Sequence, residues 1–288
     1  MTSGPLALLL PFVLLSFAAN SLITRYVVEQ ELLDAGLLTG VRFLSGAVVL
    51  VALAVLRRER VVAGRRHVLP ALWLGLYAVC ISYGYGYIGA AAGTFVFYAS
   101  VLLTLVAYDR VRTGPVPARR LAGGAVALAG IAVLASSSAG EVSLLGVLLL
   151  AATGIAWGLY TAAGRGAGDP RVATTGAFVV LALVLLLPTA GLAAAGVPTS
   201  GEGLAWGVVM GAGTTAFAYV AWYACQRTLT ASQAGLVQLV IPVLTTVGAV
   251  LLLGEPLTGR LLVAAVLVGL GMQLGRAVPA RPVPAAAR

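Results

Sequence analysis

Eight residues carry a polar or aromatic group within sequence that is otherwise almost wholly apolar: Asn20, Arg42, Tyr83, Tyr98, Trp157, Tyr160, Tyr219 and Gln238. A tyrosine or tryptophan joins a large apolar face to a single hydrogen-bonding tip, and a side-chain amide brings both donor and acceptor. At helical spacing, Tyr83 and Tyr87 share a face, as do Thr94 and Tyr98, while Tyr219, Trp222 and Tyr223 form a stripe. Such a set suits an amphipathic pocket for a small, partly apolar metabolite. Aromatics near the ends of apolar runs also serve as interfacial anchors. That explanation fits less well for Asn20, Tyr98, Trp157, Tyr160, Tyr219 and Gln238, which sit near the centres of their runs and need partners there. Arg42 lies about seven residues, on the order of 10 Å, inside its run. Two readings stay open for it: a structural arginine bonded to helix carbonyls or an acid, or a cation that faces a cavity and attracts a carboxylate.

Other chemistries lack their context. Gly84-Tyr85-Gly86-Tyr87-Ile88-Gly89 fits the glycine pattern of a dinucleotide loop, with Asp109 downstream, but the pattern ends one apolar run and the Asp ends the next. A dinucleotide site needs a strand, a turn and a helix in a βαβ unit. The glycines are read instead as a break and a close helix contact. The single histidine, His67, is expected in an arginine-rich loop, and Cys80 and Cys225 are expected to be small packing residues. No metal site, cofactor or catalytic triad is therefore expected. All nine carboxylates fall in connections or at the ends of runs. A proton relay through the membrane would place an ionisable group in mid-run, so the expected mechanism is facilitated diffusion without ion coupling.

The elements that must position these residues follow from composition. Of the 288 residues, 60% are hydrophobic and 9% charged, with a mean hydropathy of +1.03. A soluble domain carries about 25% charge, so lipid is the solvent for most of this chain. Spanning about 30 Å of hydrocarbon takes roughly 20 apolar residues. Cutting at charges, prolines and glycine breaks predicts ten transmembrane helices at 5–26, 35–56, 68–88, 91–109, 119–137, 143–164, 172–195, 203–225, 232–253 and 258–276. The Leu6–Phe17 run lacks the basic flank and cleavage context of a signal peptide and is read as a retained first span. All 18 basic residues are arginine. Those following the even-numbered spans, from Arg57 to Arg66, Arg110 to Arg120, Arg165, Arg171, Arg227 and the tail, share one side. Glu29, Glu31, Asp34, Glu141, Glu202 and Glu255 share the other. The positive-inside rule then predicts cytoplasmic termini, and the +9 charge needs no nucleic-acid partner.

At an offset of about 140 residues, Phe17–Arg25 lies against Trp157–Arg165, Arg120 against Arg260, and Ala92-Gly93 against Ala234-Gly235. Chance similarity between two segments rich in alanine, leucine and glycine is the alternative. Five spans per half is an odd number, so the second half would enter the membrane inverted, an arrangement characteristic of secondary transporters. The expected division is 1–138 and 139–277, with a cytoplasmic tail at 278–288.

From these residues the chain resembles an EamA-type carrier of the drug/metabolite transporter superfamily. The resemblance rests on Ala231–Gly235, Pro242, the Leu253-Gly254-Glu255-Pro256-Leu257 turn and Gly269-Leu270-Gly271, with Arg42-Phe43 matching in the first half. There the expected Gly-Glu turn is replaced by Thr113-Gly114-Pro115. The resemblance implies a ten-span fold, all-α in two inverted five-helix repeats, with a cavity lined by spans 1–4 and 6–9. It implies a carrier in a bacterial inner membrane that exports small metabolites, with amino acids favoured. The aromatic pocket is similar to that of the YddG-like aromatic amino-acid exporters. Alternatives are uptake, another solute such as a drug, quaternary amine or nucleotide-sugar, or a membrane scaffold or intramembrane enzyme. Monomer and homodimer both remain open.

Overall fold

In the computed structural model, residues 4–135, 143–165 and 168–275 are described, and every regular element among them is a helix. The helices are α1 (Gly4–Glu29), α2 (Ala35–Leu56), α3 (Arg65–Gly84), α4 (Ala90–Thr113), α5 (Ala118–Ala135), α6 (Leu144–Gly164) and α7 (Pro170–Ala194). There follow α8 (Gly201–Val209), a π-helical turn (Met210–Phe217), α9 (Ala218–Gln226), α10 (Ala231–Gln238), α11 (Val240–Leu252) and α12 (Gly259–Gly275). Eight helices among the described residues are long and apolar enough to cross a membrane, counting Gly201–Gln226 and Ala231–Leu252 as one each. The shorter α12 is apolar as well. The expected repeat boundary near 138 and the tail at 278–288 lie outside the described residues.

Local chemistry sets the helix ends. Asp34 starts α2, its carboxylate accepting from Gly36 N (2.8 Å) and Leu37 N (3.0 Å). Thr230 starts α10 in a reciprocal capping box with Gln233, which satisfies two otherwise orphaned donors. The span from 231 to 252 breaks at Leu239 because Pro242 has no N–H to give the Gln238 carbonyl four residues back.

The connections gather at two ends. At the acidic end, Asp34 N donates to Pro198 O (2.9 Å) and Ser200 N to Leu32 O (2.9 Å), tying the α1–α2 turn to the α7–α8 turn. At the arginine-rich end, Arg171 pairs with Glu59 at 3.0 Å. Between the ends, α3 and α4 pack on α6, α2 packs on α7 and the π turn, and α5 packs chiefly on α12.

Two expectations change here. Because α3 begins at Arg65, His67 is not in a loop but in the first helical turn, where its ring lies buried against Gly176 of α7. And α3 stops at Gly84, so Tyr83 and Tyr87 do not share a continuous helical face.

Candidate functional site

Aromatic rings from α1, α3, α4, α6 and α9 converge at the middle of the molecule. Trp157 sits at the hub, with ring centroids 5.1 Å from Phe17, 5.1 Å from Tyr77, 4.8 Å from Tyr219 and 5.4 Å from Tyr160. These edge-on and tilted geometries are favoured by ring quadrupoles. Tyr160 stacks on Tyr223 at 5.0 Å, and the Tyr223 hydroxyl donates to the Tyr160 carbonyl.

The polar groups of this centre are mostly bonded to one another. Trp157 Nε1 donates to Gln238 Oε1 at 2.7 Å, and Gln238 Nε2 donates to Ala234 O at 2.9 Å. Gln238 is placed for this by the helix break that Pro242 creates. Asn20 Nδ2 donates to the Thr214 carbonyl at 2.8 Å, and Thr214 Oγ1 donates back to Asn20 Oδ1 at 2.7 Å. Thr214 belongs to the π turn, whose wider winding departs from the regular i to i−4 ladder, a feature frequent at functional sites. That turn packs close to α2 because Gly211 has no side chain; a Cβ there would collide with the Arg42 carbonyl and Ser45 Oγ.

Arg42 is fully buried. Its Nη2 donates to the hydroxyls of Tyr77 (2.9 Å) and Tyr219 (3.1 Å), and its guanidinium lies 4.8 Å from the Phe43 ring centre and 5.3 Å from that of Tyr77. Nε and Nη1 have no hydrogen-bond partner. The partners are thus neither helix carbonyls nor an acid, as the structural reading of the sequence supposed, but two phenols and ring faces. Cation–π contacts offset part of the cost of burying the charge, yet three of the five N–H donors, one on Nε and two on Nη1, remain unused.

A cavity of about 10 Å³ lies in this centre, lined by Phe17, Asn20, Ser21, Tyr77, Phe97, Tyr98, Trp157 and Tyr219. That is room for one water. The centre is packed shut, and the roomy cavity implied by the resemblance is closed in this conformation. A larger cleft of about 340 Å³ opens toward the arginine-rich end between α1, α2, α7 and α9, with the Arg171–Glu59 pair on its wall. It shares no lining residue with the central cavity.

Seven of the eight sequence-derived residues meet here: Asn20, Arg42, Tyr98, Trp157, Tyr160, Tyr219 and Gln238. Tyr83 does not; it stands partly exposed near the acidic end, its hydroxyl beside Gly36. Sequence reasoning missed Tyr77 and Thr214. Tyr77 shares a face with Leu74 and Ile81, both fully buried, and that spacing was its available signal. Thr214 had none, because its role depends on the π turn.

A family model described as the EamA-like transporter family matches residues 144–274. The uncharacterized protein PA1977 of Pseudomonas aeruginosa is 37% identical over 279 residues, covering 94% of this chain and 96% of that protein. A solved crystal structure shares the fold, with a TM-score of 0.70 at 22% identity over 95% of this chain and 98% of the other.

Proposed function

Because this chain belongs to the EamA-like transporter family of the drug/metabolite transporter superfamily, and is thus an integral membrane carrier rather than an enzyme, we propose that it exports small amphipathic metabolites, amino acids with neutral or aromatic side chains foremost. Transport is by alternating access, without obligatory ion coupling, across ten spans in two inverted five-helix halves of a bacterial inner membrane, with both termini cytoplasmic. The observation that carries this reading is Arg42, a buried cation whose Nε and Nη1 lack partners within a ring of aromatics. A substrate carboxylate supplies the charge-assisted partner, and Trp157, Tyr98 and Phe17 take up the apolar part. Asn20 and Gln238 exchange their present bonds for the substrate's remaining polar groups. The same cation disfavours a quaternary amine, since two like charges would share one desolvated site. The 340 Å³ cleft is the approach from the arginine-rich, cytoplasmic side.

The test is flux in liposomes with a panel of amino acids, with and without an imposed pH gradient. The expected result is equilibration of carboxylate-bearing, apolar solutes at a rate and end-point the gradient leaves unchanged. Concentrative uptake driven by the gradient would contradict the uncoupled mechanism, and no flux of any amino acid would contradict the substrate class.

A further inference from the structure

At the acidic end, Glu255 in the turn after α11 accepts from the first backbone N–H groups of α4, Ala90 N at 2.6 Å and Ala91 N at 3.2 Å. Arg25 of α1 stands 4.0 Å from that carboxylate and donates to the carbonyl of Tyr85, which ends α3 at the head of the connection to α4, at 2.7 Å. At the arginine-rich end the same device recurs with the helices exchanged. Asp109, near the end of α4, accepts from Ser232 N at the start of α10 at 2.8 Å. Arg165 at the end of α6 donates to the Leu229 carbonyl, just before α10, at 2.5 Å. Arg120 donates to Ser232 Oγ at 2.6 Å. Arg25 and Arg165 are the residues that the internal sequence similarity aligns, and Ala92-Gly93 and Ala234-Gly235 follow the two capped helix starts.

Each carboxylate places negative charge on the positive end of the opposing helix, where it is electrostatically favoured. On the alternating-access reading above, opening the acidic end would part the start of α4 from Glu255, and opening the arginine-rich end would part the start of α10 from Asp109. With both contacts made and the central cavity at about 10 Å³, the conformation is shut on both sides of that cavity.

We propose that Glu255 and Asp109 are paired latches, and that release of one or the other decides the side to which the central cavity opens. This rests on the alternating-access reading above. Both are positioning residues: neither touches the cavity.

The experiment replaces Cys80 and Cys225 by alanine, introduces Ser21→Cys in the cavity wall, and measures its labelling by a membrane-impermeant maleimide in right-side-out and inverted membrane vesicles. Glu255→Ala is expected to raise labelling from the acidic end at least about tenfold, the population shift that follows loss of even one of its two charge-assisted hydrogen bonds, with labelling from the other end unchanged or lowered. Asp109→Ala is expected to do the reverse. Where an alanine variant does not yield monodisperse protein, Arg25→Gln and Arg165→Gln release the same ends and are expected to show the same asymmetry. Unchanged labelling, or equal increases from both sides in each variant, would overturn the proposal. Because labelling needs no solute, a chain that labels asymmetrically yet carries no amino acid keeps the latches and loses the transport reading. A chain that carries amino acids with no asymmetry does the opposite.

Discussion

Where α5 crosses α12 the backbones themselves touch: a Cβ added at Gly123 would fall on the Gly271 carbonyl, and one at Gly271 on the Gly123 carbonyl. In the aromatic centre, by contrast, side chains keep the helices apart and hold one another through ring edges and hydrogen bonds between residues as distant as Arg42 and Tyr219. Both regions are buried, but they respond differently to change. The seam has no side chain to move aside, and lipid supplies no hydrophobic drive to close it, so close approach of small residues is its cohesion. The centre contains polar groups, one of them charged, that a purely cohesive core would replace with aliphatic residues. The seam coheres through backbone contact, and the centre coheres through side chains that, on the function proposed above, also select the solute.

The largest expected effect breaks that comparison at the seam. Gly123→Leu should abolish assembly, because even its Cβ meets backbone rather than a side chain that can turn; the measure is loss of the monodisperse peak on gel filtration, with flux lost in proportion. A leucine there that leaves folded, active protein would show that α5 and α12 do not depend on this crossing.

Trp157→Ala should come next. Trp157 is 2% exposed and packed on four rings, so truncation should cost about 3–5 kcal/mol of stability as well as flux. The centre is packed shut around a cavity of about 10 Å³, so removing the ring leaves a void that its neighbours must collapse into. Trp157→Phe retains most of the packing and gives up the bond to Gln238, so it should stay folded while apparent substrate affinity weakens. A thermal melt paired with flux separates the two variants, and matching losses of melting temperature and flux in both would make Trp157 a packing residue only.

The smallest effect is expected at the acidic end. Trp206 is half-buried at the edge of the small apolar cluster of the acidic end, packed against Tyr26 and donating to Glu202. Trp206→Ala should leave flux within about twofold of the unsubstituted chain, since the ring does not line the central cavity. A large loss of flux would extend the site outward from the centre.

Much of this architecture is legible in the sequence. The range 35–56 for α2 coincides with the helix, and most other span ends differ by a few residues, because Asp34, Pro170 and the arginine clusters punctuate the apolar runs. Seven residues of the aromatic centre were legible because an amide, phenol, indole or guanidinium is conspicuous in an apolar run. The pairings were not. Asn20 meets Thr214 across 194 positions and Trp157 meets Gln238 across 81, and such partners depend on helix registers that hydropathy does not encode. The end of α3 at Gly84 was obscured by the apolar residues that continue the run, and so was the depth of Tyr83, which lies six residues beyond Tyr77 toward the acidic end and outside the centre.

The central claim is that Arg42 receives a substrate carboxylate, and flux of phenylalanine against phenylalaninamide tests it, each measured in liposomes with the unsubstituted chain and with Arg42→Met. Methionine fills similar volume, and relief of the buried charge should roughly offset the loss of a donor to the Tyr77 and Tyr219 hydroxyls, leaving the protein folded. The account predicts that the unsubstituted chain carries phenylalanine in preference to the amide, and that Arg42→Met lowers phenylalanine flux at least about tenfold, the worth of one charge-assisted hydrogen bond, while erasing the preference. Equal flux of the two solutes through the unsubstituted chain, or an undiminished preference in Arg42→Met, would contradict it.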